Sequence, residues 1–157
     1  MKLTEHFDDS EFACQHCGAK GISLKLVHAL EEARDHPLVK KIIVTSGYRC
    51  PEHPESIKRE QAGKSPSYHT LKKASDVMLI GHDDNVLPLV IQYYILHNVP
   101  AFENGGIGIY YDWHYHGKLV GGCHVDLGPC RRWTRKDHHY LQGLDWDDDA
   151  FKPVIGE

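Results

Sequence analysis

Residues 69–80, His-Thr-Leu-Lys-Lys-Ala-Ser-Asp-Val-Met-Leu-Ile, place two candidate metal ligands before and within an apolar segment. Positions 74–80 first alternate and then become wholly apolar, which predicts a β-strand. His69 precedes this strand, and Asp76 lies on it. A second element, His124-Val-Asp126, follows later in the chain, and its two polar side chains share one face if the segment is a strand.

Two imidazoles and one carboxylate form the ligand set of an open catalytic zinc site, in which the fourth position is left for water. The spacing from His69 to Asp76 does not by itself make them converge, unlike two histidines on successive turns of a helix. If these side chains converge with His124, we expect a metal-dependent hydrolase. If they do not, the chain is a domain with an excess of histidine, thirteen in all, and no metal.

Helices and further strands are predicted on both sides of this segment. Ser23 and Asp84 are expected to cap two helices, the first ending near Asp35 and the second running over residues 85–97. Three more strands are predicted at residues 41–45, 105–110 and 119–127. Residues 51–68 are expected to be irregular with at most a short helix, and the acidic residues 138–157 to be a surface tail. The pattern predicts one α+β domain over residues 1–157, with helices around a small antiparallel sheet.

Composition narrows the class of protein. The 157 residues suffice for one domain with its own core, and a net charge of −4 provides no basic field for nucleic acid. The longest apolar run, residues 86–96, is interrupted by Pro88 and Gln92 and is too short to span a membrane. The N-terminal residues lack the apolar core of a signal peptide, so we expect cytoplasmic synthesis and release or export by another route. Nothing indicates a dimer, and we expect a monomer.

The cysteines suggest a second site. Five cysteines cannot all pair within one chain. Cys14-x-x-Cys17 and Cys50-x-x-His53 together provide three thiols and one imidazole at the spacing of a structural zinc site. The alternative is three free thiols or one disulfide.

Several short motifs follow one another in a fixed order, and together they carry a family resemblance: Ser46-Gly-Tyr-Arg49, Ser67-Tyr-His69, Ala74-Ser-Asp76, Gly105-Gly-Ile-Gly-Ile-Tyr110, His124-Val-Asp126 and Arg132-Trp133. This series resembles the zinc D-alanyl-D-alanine carboxypeptidase family and its murein endopeptidase relatives, whose fold is shared with the amino-terminal domain of hedgehog proteins. The similarity is strongest over residues 6–133. It implies hydrolysis of amide bonds in the stem peptides of peptidoglycan.

The resemblance also implies roles for individual residues. His69, Asp76 and His124 would be the ligands of one catalytic Zn²⁺ ion. Arg49 would hold a substrate carboxylate or stabilise a developing oxyanion, the alternative being a structural salt bridge. Ser67 would orient the site or the substrate, the alternative being a hydroxyl that stabilises a local turn.

The sequence does not identify the residue that acts as general base. Many relatives carry an acidic residue three positions before the last histidine ligand, where this chain has Gly121. Asp126 is the first candidate for the base, and its alternative role is a carboxylate that orients a ligand. The missing group is otherwise expected from the stretch before His124, which contains Asp112, His114 and His116.

Other departures from the family pattern bear on specificity. Lys72 stands where the family has glycine, and Pro54 and Ala62-Gly63-Lys64 replace the family's asparagine and paired glycines. Two further functions therefore remain alternatives to the peptidase: a zinc-containing module that binds the cell wall without catalysis, and a phage structural protein whose histidines hold no metal.

Overall fold

The computed structural model describes residues 1–152 and confirms the α+β class. Eight strands form a six-stranded sheet in the order β1-β2-β6-β3-β7-β8 and a small separate hairpin, β4-β5. The strands are β1 (Lys41–Ser46), β2 (Ala74–Ile80), β3 (Gly106–Tyr110), β4 (His114–Tyr115), β5 (Lys118–Leu119), β6 (Gly122–Asp126), β7 (Arg131–Lys136) and β8 (His139–Gln142). Neighbouring strands are antiparallel except β3 and β7, which are parallel.

Four helices accompany the sheet: α1 (Leu24–Arg34), α2 (Pro54–Gln61), α3 (Leu89–His97) and α4 (Pro100–Glu103). One face of the sheet and the apolar faces of α1, α3 and α4 form the main core. Val77 and Leu79 of β2 point into this core together with Cys123 and Val125 of β6. Since side chains alternate along a strand, Asp76, His124 and Asp126 lie on the opposite face.

The second predicted helix begins later than expected. Asp84 does not cap it, because this residue has a φ of 64° and belongs to the turn after β2. Val86 then forms an isolated bridge to Ile80, and the helix begins at Leu89 after Pro88. The backbone N–H of Leu87 donates to the carbonyl of Leu79, so residues 85–87 pair with the end of β2 instead of forming the first turn of a helix.

The predicted acidic tail is ordered in part. His139–Gln142 is the edge strand β8, and Asp148–Phe151 forms a short 3-10 helix whose Ala150 is fully buried. The hydroxyl of Tyr111 donates to the carbonyl of Asp145 and accepts from the N–H of Asp147, which fixes this segment against the core. Residues 138–152 therefore lie at the surface with secondary structure of their own, and residues 153–157 lie outside the described part of the chain.

The strand predicted at residues 119–127 is split. Gly122–Asp126 forms β6, whereas Lys118–Leu119 pairs with His114–Tyr115 in the hairpin. Gly121 separates the two with a φ of 79°. No helix within residues 1–152 has the length and apolar character needed to cross a membrane.

Candidate metal centre

One row of side chains across the sheet builds the centre. Asp76 on β2 is paired in register with His124 on β6, and His124 with Gly108 on β3. Gly108 in turn is opposite Trp133 on β7. A side chain at Gly108 would meet the Trp133 indole at 2.4 Å, so the glycine leaves room for the ring beside His124.

His69 reaches this row from the loop before β2. Its Nδ1 atom lies 2.7 Å from the carbonyl oxygen of Gly47, in the turn that follows β1. Lys72 helps to shape the loop by adopting a φ of 63°, in the left-handed region that favours glycine. The lysine therefore holds a backbone conformation that glycine adopts more readily, and its Nζ lies over the Tyr48 ring at 5.0 Å.

The three predicted ligands converge. One donor atom from each of His69, Asp76 and His124 lies within 4.8 Å of the other two, and all three residues are buried. Nε2 of His69 is 3.3 Å from Oδ1 of Asp76, and Nδ1 of His124 is 3.1 Å from the same oxygen. The sequence prediction of one three-residue cluster is thus matched by the geometry.

The outer hydrogen bonds of the two imidazoles show that a cation fits between the ligands. A carbonyl oxygen can only accept, so Nδ1 of His69 must donate to Gly47, which leaves a lone pair on Nε2 in the neutral ring. Nε2 of His124 faces the carboxylate of Asp126 at 2.7 Å, and the neutral tautomer that donates from this nitrogen has a lone pair on Nδ1. Two nitrogen lone pairs and a carboxylate then point at one another, an arrangement that a divalent metal ion stabilises.

The electrostatics of the centre agree with this arrangement at Asp76 and His69, and at His124 they favour the charged ring while no cation is bound. Burial alone would raise the pKa of Asp76, but His69 and His124 hold it well below its ordinary value. Burial lowers the pKa of His69, which favours the neutral ring that a metal needs. Burial also acts to lower the pKa of His124, but its hydrogen bonds to Asp126 and Asp76 raise it overall.

Asp126 contacts the imidazole of His124 on the side away from Asp76. Its Oδ1 accepts from Arg131 at 2.6 Å and from the backbone N–H groups of Gly106 and Gly128. The carboxylate has no exposed surface, and its Oδ2 faces Nε2 of His124. With its oxygens engaged in this way, Asp126 fits the role of a carboxylate that orients a ligand better than the role of general base.

Arg49 lies at the edge of the centre. One of its terminal nitrogens donates to Oδ2 of Asp76 at 3.2 Å, whereas both imidazoles face Oδ1. Its Nε is buried and has no hydrogen-bond partner within residues 1–152. A buried donor without an acceptor is unfavourable, so this guanidinium has unused capacity for an oxygen of a ligand.

The other predicted polar residues line the same cleft, which has a volume of about 1520 Å³. The Ser67 hydroxyl has no protein partner in the described part of the chain and lies on the cleft wall. Asp112 also lines the cleft, where it forms an ion pair with Arg135 at 3.2 Å. His114 is exposed on this wall, whereas His116 is in the turn of the β4-β5 hairpin and packs on Tyr115.

Gly121 cannot carry the acid found in relatives without local strain. Its positive φ disfavours any residue with a side chain, and a Cβ atom there would be 3.1 Å from the Tyr110 carbonyl. The neighbouring Gly122 is covered by the Trp113 ring, which would lie 2.6 Å from an added Cβ. The backbone at this point is therefore built for glycine.

The sequence prediction missed the aromatic wall of the cleft and one arginine. The Trp133 ring lies 5.0 Å from that of His124, and its Nε1–H donates to the Tyr110 hydroxyl at 3.0 Å. Tyr110 stacks on Trp113 at 4.6 Å. Arg131 was missed although Asp126, two positions after a ligand, requires a cationic partner once it is buried.

The second predicted cluster is present in part. The sulfur atoms of Cys14, Cys17 and Cys50 lie within 4.8 Å of one another. His53 lies outside this group, because its Nδ1 accepts from the N–H of Glu55 and caps helix α2. Burial would raise the pKa of Cys14, but backbone N–H groups, first that of Cys50, lower it to about 6.

Comparison with known proteins gives one finding. A family model described as Peptidase M15 matches residues 5–113, which is more than half of the chain. The match includes His69, Asp76 and Arg49 and ends before β6. No curated protein and no solved structure matches the chain significantly.

Proposed function

The chain belongs to the peptidase M15 family, and on this premise we propose that it is a zinc-dependent metallopeptidase that hydrolyses amide bonds in peptidoglycan stem peptides. The observation that carries the proposal is the convergence of His69, Asp76 and His124 with their metal-binding atoms turned towards one another. The outward nitrogen of each imidazole is engaged by Gly47 or Asp126, so the ligands are already oriented. Such prior orientation is what a metal site needs from the atoms that surround its ligands.

A zinc ion held by these three residues would supply a Lewis acid that polarises the scissile carbonyl and acidifies water. The remaining roles fall to residues of the chain. Asp126 keeps the proton of His124 on Nε2. Burial would raise the pKa of Asp126, but His124 first and then Arg131 lower it to about 2 and keep the carboxylate ionised. The Trp133 ring packs beside the His124 ring and covers one side of it.

Arg49 is placed to bind an oxygen of the substrate. Its guanidinium contacts Asp76 through one nitrogen only, and the buried Nε lacks an acceptor. A planar, permanently charged fork suits a carboxylate or the oxygen of a polarised amide. Ser67, whose hydroxyl has no protein partner within residues 1–152, can position the same substrate from the neighbouring loop, which accepts the Arg49 N–H through the carbonyl of His69.

The size and charge of the cleft suit a peptide substrate that carries free carboxylates. Its volume of about 1520 Å³ exceeds that of an ordinary small-molecule pocket, which is roughly 300–1,000 Å³. Arg59 and Lys64 line the cleft without an acidic partner in the described part of the chain. Stem peptides of peptidoglycan are acidic and extended, and they match both features.

The test is digestion of purified peptidoglycan by zinc-loaded protein, with the products identified by mass spectrometry. Release of free D-alanine from a peptide ending in D-alanyl-D-alanine would assign carboxypeptidase action, and cleavage of cross-links would assign endopeptidase action. His69→Ala should abolish either product. His28→Ala is the matched control, since this histidine is exposed on α1 and does not line the cleft. Absence of both products with the zinc-loaded wild type would overturn the proposal.

One observation favours a second candidate, a zinc-containing module that binds the cell wall without cutting it. The chain has Gly121 where many relatives have an acid, and Asp126 is fully engaged by other groups. This candidate predicts that the zinc-loaded protein sediments with peptidoglycan and releases nothing from it. The third possibility, a structural protein without metal, is excluded if the purified protein contains zinc that His124→Ala removes.

A further inference from the structure

Three cysteines come together on the far side of the turn that holds Arg49. Cys14 and Cys17 belong to the loop before α1, and Cys50 follows Arg49 directly. Their sulfur atoms lie within 4.8 Å of one another, and all three are free thiols. Cys14 and Cys50 are buried, whereas Cys17 is exposed. No step of peptide hydrolysis needs any of the three.

The backbone around the sulfur atoms is arranged as it is around bound thiolates. The N–H of Cys50 donates to Sγ of Cys14 at 3.3 Å, and the N–H of Ala19 donates to Sγ of Cys17 at 3.4 Å. Hydrogen bonds of this kind orient metal ligands and stabilise their negative charge. Since a disulfide would join only two of the three sulfur atoms, the convergence of all three points to a shared ion.

The spacing indicates the fourth ligand. Cys50-x-x-His53 repeats the separation of Cys14-x-x-Cys17, and the N–H of His53 donates to the carbonyl of Cys50 in a tight turn. The imidazole now caps α2 through Nδ1. Turning the ring towards the thiols would give up one hydrogen bond at an exposed helix end, which is a small loss beside a bond to the metal. The neighbouring His16 ring lies 6.3 Å from that of His53 and is the competing imidazole.

We propose that Cys14, Cys17 and Cys50, with His53 as fourth ligand, bind a structural zinc ion that is separate from the catalytic centre. Three sulfur ligands and one nitrogen ligand make a closed tetrahedral site with no position for substrate. The ion would fasten the N-terminal loop to the turn that carries Gly47 and Arg49. Through this turn it would support the carbonyl that orients His69 and the guanidinium beside Asp76.

The site is tested by counting zinc in a protein whose catalytic ligands have been removed. The double variant His69→Ala/His124→Ala should retain one zinc per chain after dialysis under reducing conditions. Adding Cys17→Ser to that variant should remove the ion. Cys130→Ser is the matched control, because this exposed thiol donates to the Glu103 carbonyl and is not part of the cysteine cluster, so its loss should leave the zinc content unchanged. A double variant that folds and holds no zinc overturns the proposal, whatever the activity of the wild type.

Cobalt substitution identifies the ligands. In the double variant, cobalt at this site should give intense thiolate-to-metal charge-transfer bands and the visible bands of tetrahedral coordination. His53→Ala should weaken and shift these bands, whereas His16→Ala should leave them unchanged. The reverse result would remove His53 from the ligand set. If a variant does not fold, thiol counting on the wild type gives an independent answer: three of the five thiols should be protected by zinc and exposed by a chelator.

Discussion

The Oδ2 atom of Asp126 lies 2.7 Å from Nε2 of His124, on the side of the imidazole away from Asp76. The pair are two positions apart on β6, so the carboxylate and the ring share one face of the sheet. A terminal nitrogen of Arg131 donates to the two carboxylate oxygens of Asp126, at 2.6 and 2.7 Å. This chain of contacts fixes which nitrogen of His124 faces the metal-binding side.

Removing Asp126 should weaken zinc binding. In Asp126→Ala the ring of His124 loses its orienting acceptor, and we expect zinc affinity at the catalytic centre to fall by roughly 10–100-fold. Competition with a chromophoric chelator measures the change. Asp112→Ala is the control, since Asp112 lines the same cleft but pairs with Arg135. Unchanged affinity together with a complete loss of hydrolysis would instead make Asp126 the general base.

Local pattern was sufficient to predict much of this centre. The alternation of residues 74–80 fixed both the strand β2 and the face on which Asp76 lies. The same periodicity placed His124 and Asp126 on one face and Cys123 in the core on the other. These are short-range consequences of the geometry of a strand, and a single sequence contains them.

The pairing between strands that are distant in the sequence could not be predicted from such local patterns. The register that sets Asp76 opposite His124 depends on contacts between segments far apart in the chain. The strand β7, Arg-Arg-Trp-Thr-Arg-Lys, was missed because its residues bind carboxylates and carbonyls and show no apolar alternation. The start of α3 was misplaced because residues 85–87 pair with the end of β2, a contact that overrides their helical pattern.

Arg49→Lys should impair hydrolysis without removing zinc. A lysine keeps the charge near Asp76 but loses the planar fork and the free Nε donor. If this donor binds the developing oxyanion, we expect kcat to fall by roughly 10²–10³-fold. Steady-state kinetics and a zinc assay on the same sample separate the two effects. Arg59→Lys, which alters another arginine of the cleft, should change kcat little. Loss of zinc in Arg49→Lys would indicate the structural salt bridge.

Gly121→Glu should not restore the acid found in relatives. The φ of 79° at this position costs a residue with a side chain roughly 1–2 kcal/mol, and the Tyr110 carbonyl crowds the new Cβ. We expect a loss of stability by chemical denaturation and no gain in hydrolysis. Gly63→Ala isolates the backbone contribution, since Gly63 has a φ of 71° but no atom within 4 Å of an added Cβ. A stable Gly121→Glu protein with higher activity would contradict the argument.

Tyr111→Phe should show how the C-terminal segment is held and should respond to alkaline pH. The Tyr111 hydroxyl bonds to Asp145 and Asp147, so its loss is expected to lower the free energy of unfolding by about 1 kcal/mol. Burial, with Asp145 and Asp149, raises the pKa of Tyr111 to about 12, above the ordinary 10.0. The folded state therefore favours the neutral phenol, and the advantage of the wild type over Tyr111→Phe is complete below pH 10 and declines as pH rises towards 12. Urea denaturation of both proteins across this range measures the difference.

Tyr94→Phe, at an exposed position on α3, serves as the control and should show no such decline. A difference that stays constant to pH 12 would mean that the hydroxyl does not fasten the segment.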